Sequence, residues 1–212
     1  NAISLFSGMG GDSQGLIDAG FSLKGYSEKV PVFRETHGIN FQNCSLIGNG
    51  DILETTDEEL SKYSGFTDLI FAGFPCQGFS NAGKKAPDDP RNTLFREFVR
   101  ATRLIQTKYI IGENVKGLLK RKTEDDEYFL DVIQREFTKI GYKTRFKLFK
   151  VAHFGVPQKR ERLIIIGTRL VERELKFPEE LNIVSTIEPI INFSMAGSYK
   201  VPDGYFKELG VE

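Results

Sequence analysis

Cysteine is scarce in this chain, net charge is absent, and no hydrophobic run is long. Its 212 residues include only Cys44 and Cys76, too few for a disulfide scaffold and in keeping with a reducing interior. Twenty-nine basic and 29 acidic residues cancel to a formal charge of zero. That excludes a wholly basic nucleic-acid coat but leaves room for a local basic cleft. No stretch approaches the roughly 18 apolar residues of a membrane span, so no membrane association is expected. The chain opens on Asn1-Ala2-Ile3-Ser4-Leu5-Phe6, without an initiator Met or a basic n-region. A signal peptide is therefore not expected, and Asn1 need not be the native start. What is present is a 40% apolar composition with 18 Phe, enough for a real core and against wholesale disorder. The length fits one large domain or a small pair, at roughly 100–200 residues per domain.

Short β-branched or aromatic runs at residues 2–6, 68–74, 109–115 and 162–168 predict strands buried on both faces. Between them, apolar side chains recur at helical spacing. In 93–108 they are Leu94, Phe95, Phe98, Val99 and Ile105; in 127–141 they are Phe129, Val132, Ile133, Phe137 and Ile140, with Gly141 as a stop. Thr55 or Thr56 before Asp57-Glu58-Glu59 reads as a helix start, acidic in its first turn. This βαβαβ order predicts an α/β fold built on a doubly wound, mostly parallel sheet. After Arg169 the period fades, and Pro178, Pro189, Pro202, Gly197, Gly204 and Gly210 interrupt any long element. Residues 1–170 are expected to form the principal domain, and 171–212 a connector or the start of a further region.

The candidate chemistry lies where strands end. The first strand runs into Phe6-Ser7-Gly8-Met9-Gly10-Gly11, followed by a helix-like 13–20. A glycine-rich turn there lets backbone N–H groups approach a ligand at a helix N-terminus, although a bare tight turn has the same spelling. Ser13 stands where the dinucleotide fingerprint needs glycine, which disfavours a nicotinamide or flavin. Glu28 follows a second apolar segment, 21–27, at the spacing of an acid that takes ribose hydroxyls; alone it is equally a surface carboxylate. Asp51, in Gly50-Asp51-Ile52, is expected to end a third strand and to accept from an amino group. The fourth strand ends in Gly73-Phe74-Pro75-Cys76-Gln77-Gly78-Phe79-Ser80, which puts Cys76 on the rim where open α/β sheets bind ligands. Lone cysteines are more often buried apolar residues than nucleophiles, and Cys44 has nothing around it to say otherwise. The fifth strand ends in Gly112-Glu113-Asn114-Val115, on the same rim. In Gln158-Lys159-Arg160-Glu161-Arg162, the two arginines share one side of an extended segment.

Taken in order, Leu5-Phe6-Ser7-Gly8-x-Gly10-Gly11, Glu28, Gly50-Asp51, Gly73-Phe74-Pro75-Cys76-Gln77, Glu113-Asn114-Val115 and Gln158-x-Arg160-x-Arg162 resemble the DNA (cytosine-5) methyltransferases. The resemblance covers about residues 2–170. Its Pro-Cys-Gln, Glu-Asn-Val and Gln-x-Arg-x-Arg elements are highly specific; the glycine turn is not. It implies a Rossmann-like fold dependent on S-adenosylmethionine as methyl donor, duplex DNA as partner, and no metal. It assigns Cys76 as the thiolate that adds to cytosine C6, Glu113 to the N3 edge and Arg162 to O2, with Asn114 and Arg160 supporting them. Gln77, Ser80 and Gln158 fall on the substrate side. Phe6, Gly8, Gly10, Gly11, Glu28, Asp51, Ile52 and Phe74 are assigned to the donor. Lys84, Lys85, Arg91, Lys116, Lys120, Arg121 and Lys122 are candidates for phosphate contacts, or else a pair of solvated loops.

The sequence also departs from that pattern. Ser4 stands where the family commonly has aspartate, Lys29 where an aromatic often stacks on adenine, and Asn92 where glycine is usual. The family's target-recognition region and its closing Gly-Asn-Ser-like segment are expected beyond residue 212. The chain is therefore read as an excerpt, a truncation or one half of a split enzyme, with weak or no sequence-specific activity alone. Restriction-modification is the family's commonest setting, with a cytoplasmic or nucleoid location, or a nuclear one in a eukaryote. Three other readings stand beside this one. The first is a tRNA cytosine-5 methyltransferase, which tends to carry a second proline before the cysteine. The second is a non-catalytic S-adenosylmethionine-binding subunit. The third is a Cys–His hydrolase using His37 or His153.

Overall fold

Side-chain alternation along the strands sorts this protein into layers. The computed structural model describes residues 1–75, 94–123 and 125–181. Among these, one sheet contains β1 (Ala2–Leu5), β2 (Leu23–Ser27), β3 (Ser45–Leu46), β4 (Leu69–Ala72), β5 (Tyr109–Val115), β6 (Lys143–Lys150) and β7 (Glu161–Thr168). The strand order is β3-β2-β1-β4-β5-β7-β6. The helices are α1 (Gly11–Asp18), α2 (Pro31–Asn40), α3 (Asp57–Ser61), α4 (Leu94–Ile105) and α5 (Phe129–Lys139). Successive strand residues point to opposite faces. Ile3, Leu5, Ile70, Ala72 and Ile110 pack with Leu60 of α3, Phe95, Phe98 and Ile105 of α4, and Ile133 and Phe137 of α5. Ala2, Leu69, Phe71, Tyr109 and Ile111 pack with Leu16 of α1 and with Phe41. The sheet is thus buried on both faces, as its apolar-rich strands require.

The doubly wound α/β expectation holds, with refinements. Pairs β1–β2, β2–β3, β1–β4 and β4–β5 are parallel, whereas β7 runs antiparallel to both β5 and β6. Strand β6 leads to β7 through the single turn Val151–Phe154 and a short loop, too little chain for the crossover that a parallel pair needs. The third strand is only Ser45–Leu46. Asp51 therefore does not end it, as the sequence reading expected, but sits in the loop beyond. Thr56 caps α3 with a reciprocal Thr56–Glu59 capping box, as read from the acidic first turn. The β1–β2 and β1–β4 pairs flank the point where the chain reverses direction across the sheet, and open α/β folds place ligands outside the strand ends there.

Residues 170–181 carry no regular element, but they are fastened along the β6 edge. Lys143 Nζ donates to the Val171 carbonyl (3.0 Å) and Arg145 Nη1 to that of Leu175 (2.7 Å). The Phe177 ring meets Phe149 edge-on at 5.7 Å, and the Leu181 N–H donates to the His153 carbonyl (2.8 Å). An edge strand rich in lysine and covered by a following segment offers no bare template for pairing. No helix among the described residues is long and apolar enough to cross a membrane.

Candidate active site

The glycine turn is held by the acid that follows β2. Glu28 is 8% exposed. Its Oε2 accepts from the Gly8 N–H (2.8 Å) and its Oε1 from the Val30 N–H (2.7 Å), so one carboxylate joins the β1–α1 turn to the start of α2. Charge-assisted bonds to backbone amides are among the stronger neutral-pH contacts. Replacing Glu28 by Ala would strand both amides and is expected to cost about 3 kcal/mol in urea unfolding, with Glu28→Gln costing about half, since one acceptor remains. Equal losses for the two variants would contradict this.

Beside that carboxylate lies a cavity of about 470 Å³, lined among others by Phe6, Gly8, Glu28, Lys29, Asp51, Ile52, Gly73 and Pro75. Its size is that of a small-molecule site, about 300–1,000 Å³. The Asp51 carboxylate accepts from the Leu53 N–H (3.0 Å) and pairs with Lys29 Nζ (2.7 Å). A carboxylate has about four lone-pair positions, so both Glu28 and Asp51 keep capacity for a ligand's hydroxyl or amino group. Gly50, at φ +97°, has no room for a side chain: a Cβ would stand 2.6 Å from the Glu28 carbonyl and 2.8 Å from Arg34 Nη1. That guanidinium donates to the Asn49 carbonyl at 2.8 Å, anchoring the Asp51 loop to α2. Two acids, an apolar floor and a glycine turn suit S-adenosylmethionine, which carries a polar nucleoside and an amino acid.

Not every donor residue expected from sequence faces this cavity. Phe74, 3% exposed, lies in the core with its ring 6.1 Å from that of Phe98. Its neighbours Gly73 and Pro75, in the segment that follows β4, line the cavity instead. Gly10 and Gly11 are absent from the lining. Gly10 caps the N-terminus of α1 at φ +99°, with His37 and Phe41 packed where a side chain would project.

Toward β5 and β7 the rim becomes charged. Glu113 Oε1 is 2.5 Å from Arg162 Nε and 4.0 Å from Arg160 Nη2. The two arginines thus reach one carboxylate, as their period-2 spacing suggested. Arg162 is held further by its donation to the Glu161 carbonyl (2.8 Å). Asn114, 3% exposed, donates from Nδ2 to the Phe74 carbonyl (3.0 Å) and accepts the Val115 N–H on Oδ1 (2.9 Å). It therefore ties β5 to the residue two before Cys76. A Cβ on Gly73 would sit 3.9 Å from Glu113 Oε2, so the β4 end and this carboxylate are neighbours. Gln158 is exposed, and its N–H donates to the Val156 carbonyl (2.8 Å). Cys76, Gln77, Ser80, Lys84, Lys85, Arg91 and Asn92 lie outside the described residues. Of the other basic candidates, Lys116 pairs with Glu161 (2.8 Å) and Lys122 with Asp126 (2.8 Å), exposed pairs that cost little to exchange for a phosphate.

Under the glycine turn lies a polar cluster that includes Asp12, an acid without a motif to announce it. Ser4 Oγ donates to Asp12 Oδ2, and burial pushes the Asp12 carboxyl up to about 6. Ser4, noted as a departure, therefore still has an acid beside it, supplied from α1. His37 is fully buried, stacked on Tyr26 at 3.7 Å, with Nε2 2.8 Å from Ser13 Oγ. Burial pulls its imidazole down to about 4, so folding favours the neutral ring. Its stabilisation is complete above the ordinary value of about 6.5 and is lost as pH falls toward 4. Asp12 acts in the opposite sense, because its protonated form suits the buried site. The urea midpoint of the wild type is expected to fall more steeply between pH 6.5 and 4.5 than that of His37→Gln. Parallel curves would remove His37 as the cause. No tertiary neighbour of His37 could be foreseen from its place in the chain.

His153 points elsewhere, with Nδ1 2.6 Å from Glu180 Oε2. Cys44 is partly exposed, and burial pushes its thiol up to about 12, which leaves it inert. No group of three or more His, Cys, Asp or Glu among the described residues is placed to hold a metal.

Comparison with known proteins gives this geometry a family. The chain is 38% identical to the Type II methyltransferase M.DdeI of Desulfomicrobium norvegicum over 169 residues, 80% of this chain and 40% of that protein. It is 39% identical to M1.HphI of Haemophilus parahaemolyticus over 182 residues, 84% of this chain and 48% of that protein. The chain thus spans less than half the length of these two curated relatives. The crystal structure of a mutant of Spodoptera frugiperda DNMT2 superposes with a TM-score of 0.75 at 22% identity, covering 99% of this chain and 65% of that one. The fold is accordingly the Rossmann-like fold of S-adenosylmethionine-dependent methyltransferases. Residues 1–201 match the sequence model described as C-5 cytosine-specific DNA methylase, and the chain belongs to that family.

Proposed function

We propose that the protein carrying this chain transfers a methyl group from S-adenosylmethionine to C5 of cytosine in duplex DNA, in a restriction-modification setting. The observation that carries the proposal is the joining of two features at one rim: the Glu113–Arg162 pair and the acid-lined cavity meet at Gly73–Pro75, the segment that leads into Cys76. Glu28 and Asp51 would hold the donor's ribose and adenine, with Phe6, Gly8 and Ile52 around them. Bound there, the donor supplies an electrophilic sulfonium methyl.

Cytosine C5 is unreactive while the ring is aromatic. The Cys76 thiolate adds to C6, forming a C–S bond and moving an electron pair toward C5, which then takes the methyl group. Glu113 donates to N3, and Arg162 holds O2, so charge that develops on the pyrimidine meets fixed partners. Asn114 holds the backbone that presents Cys76. Loss of the C5 proton to solvent then expels the thiolate. A base within a duplex is out of reach, so the nucleotide is flipped out at a cost of a few kcal/mol. Lys116, Lys120, Arg121 and Lys122 would offset this through the phosphates. Target recognition would come from a further region or a second polypeptide.

Duplex DNA containing 5-fluorocytosine tests the reading. Fluorine cannot leave C5 as a proton does, so the adduct persists after methyl transfer. A donor-dependent, denaturation-resistant protein–DNA adduct is expected when the target-recognising region is present. Label transferred to tRNA, with no DNA adduct, would transfer the proposal to an RNA substrate.

A further inference from the structure

Large apolar side chains are exposed at the mouth of the cavity, which water alone does not favour. Val30 (41%) and Phe33 (39%) come from the start of α2, and Leu53 (56%) from the loop after β3. All three line the cavity, together with the nearly buried Ile52. Phe6 and Phe33 are the aromatic residues among the described part of that lining. Phe6 is packed against the core, whereas Phe33 stands 39% exposed at the mouth. Lys29, which also lines the cavity, has its ammonium held by Asp51 at 2.7 Å with the side chain 71% exposed, and it has no ring to stack. The spacing of the two apolar walls is set by a side chain: Arg34, next to Phe33 on α2, donates to the Asn49 carbonyl (2.8 Å) and so fastens the loop that carries Asp51, Ile52 and Leu53.

A slot with apolar walls and a carboxylate at its polar edge suits a flat heterocycle bearing an amino group. We propose that Phe33 is a nucleobase-stacking residue, which with Val30 and Leu53 encloses the purine of the nucleoside ligand while Asp51 takes its amino edge. This rests on the donor-site reading above and names the residue that supplies the stacking face where Lys29 does not.

The chain has no Trp, so Phe33→Trp introduces a single indole reporter at this position. Titration with S-adenosylhomocysteine is expected to quench its emission saturably, with the midpoint matching the calorimetric one. Adenosine should also quench, at higher concentration, and homocysteine should not. Phe33→Ala is expected to bind S-adenosylhomocysteine about tenfold more weakly than wild type, with Phe33→Leu between them and unliganded melting unchanged. Calorimetric binding with unmoved indole emission, or wild-type affinity in Phe33→Ala, would overturn the proposal and leave the donor site standing. Absence of any binding to the wild type would overturn both.

Discussion

Cys76→Ser is expected to leave no adduct on 5-fluorocytosine DNA and to lower methyl transfer on the order of 10⁴-fold or more. A serine hydroxyl is un-ionised near neutral pH and is a far weaker nucleophile than a thiolate, so the addition to C6 that breaks aromaticity is lost. Donor binding is expected to be retained, because Glu28 and Asp51, which line the cavity, are untouched by the substitution. Cys44→Ser is the internal control. Its thiol is pushed up to about 12 by burial, and removing it should leave trapping intact. Gel retention of a denatured adduct reads both variants. An adduct that survives in Cys76→Ser, or disappears in Cys44→Ser, would end the covalent proposal.

The second large effect is expected at Glu113. Glu113→Gln keeps the shape of the side chain and an acceptor for Arg162 Nε, 2.5 Å away in the wild type, but it cannot pass a proton to N3. General acid contributions of this kind are worth about 10²–10⁴-fold. Single-turnover methyl transfer is expected to fall within that range, with donor affinity unchanged and adduct formation slowed in parallel. If Glu113 merely braced Arg162, the Gln variant would melt at a different temperature and lose less than about tenfold in rate.

The strands and helices that line the site were legible because each follows a local rule. The runs at 2–6, 68–74, 109–115 and 162–168 are rich in apolar residues, as a sheet covered on both faces demands, and β1, β4 and β5 lie within them while β7 begins one residue earlier, at Glu161. The capping box at Thr56 and the stop at Gly141 (φ +87°) are equally local. Strand β6 does not stand out among the apolar-rich runs because Lys143, Arg145 and Lys147 alternate with Thr144, Phe146 and Leu148, a charged pattern that an edge position tolerates. Asp51 falls in a loop rather than at a strand end because β3 stops at Leu46 after two residues.

Residue type and order alone determined the α/β class, the family resemblance and the candidate Glu28, Glu113 and Arg162, since glycine turns, Pro-Cys and Arg-x-Arg spacings are local chemistry written along the chain. Tertiary structure decided which of these meet. The 2.5 Å Glu113–Arg162 pair joins two antiparallel strands, and Glu28 spans two turns. Phe74 turned into the core, while Phe33 from a helix with no motif faced the cavity. Such contacts depend on how the elements pack, and packing is settled by burying all the apolar faces together, which no short stretch of sequence records.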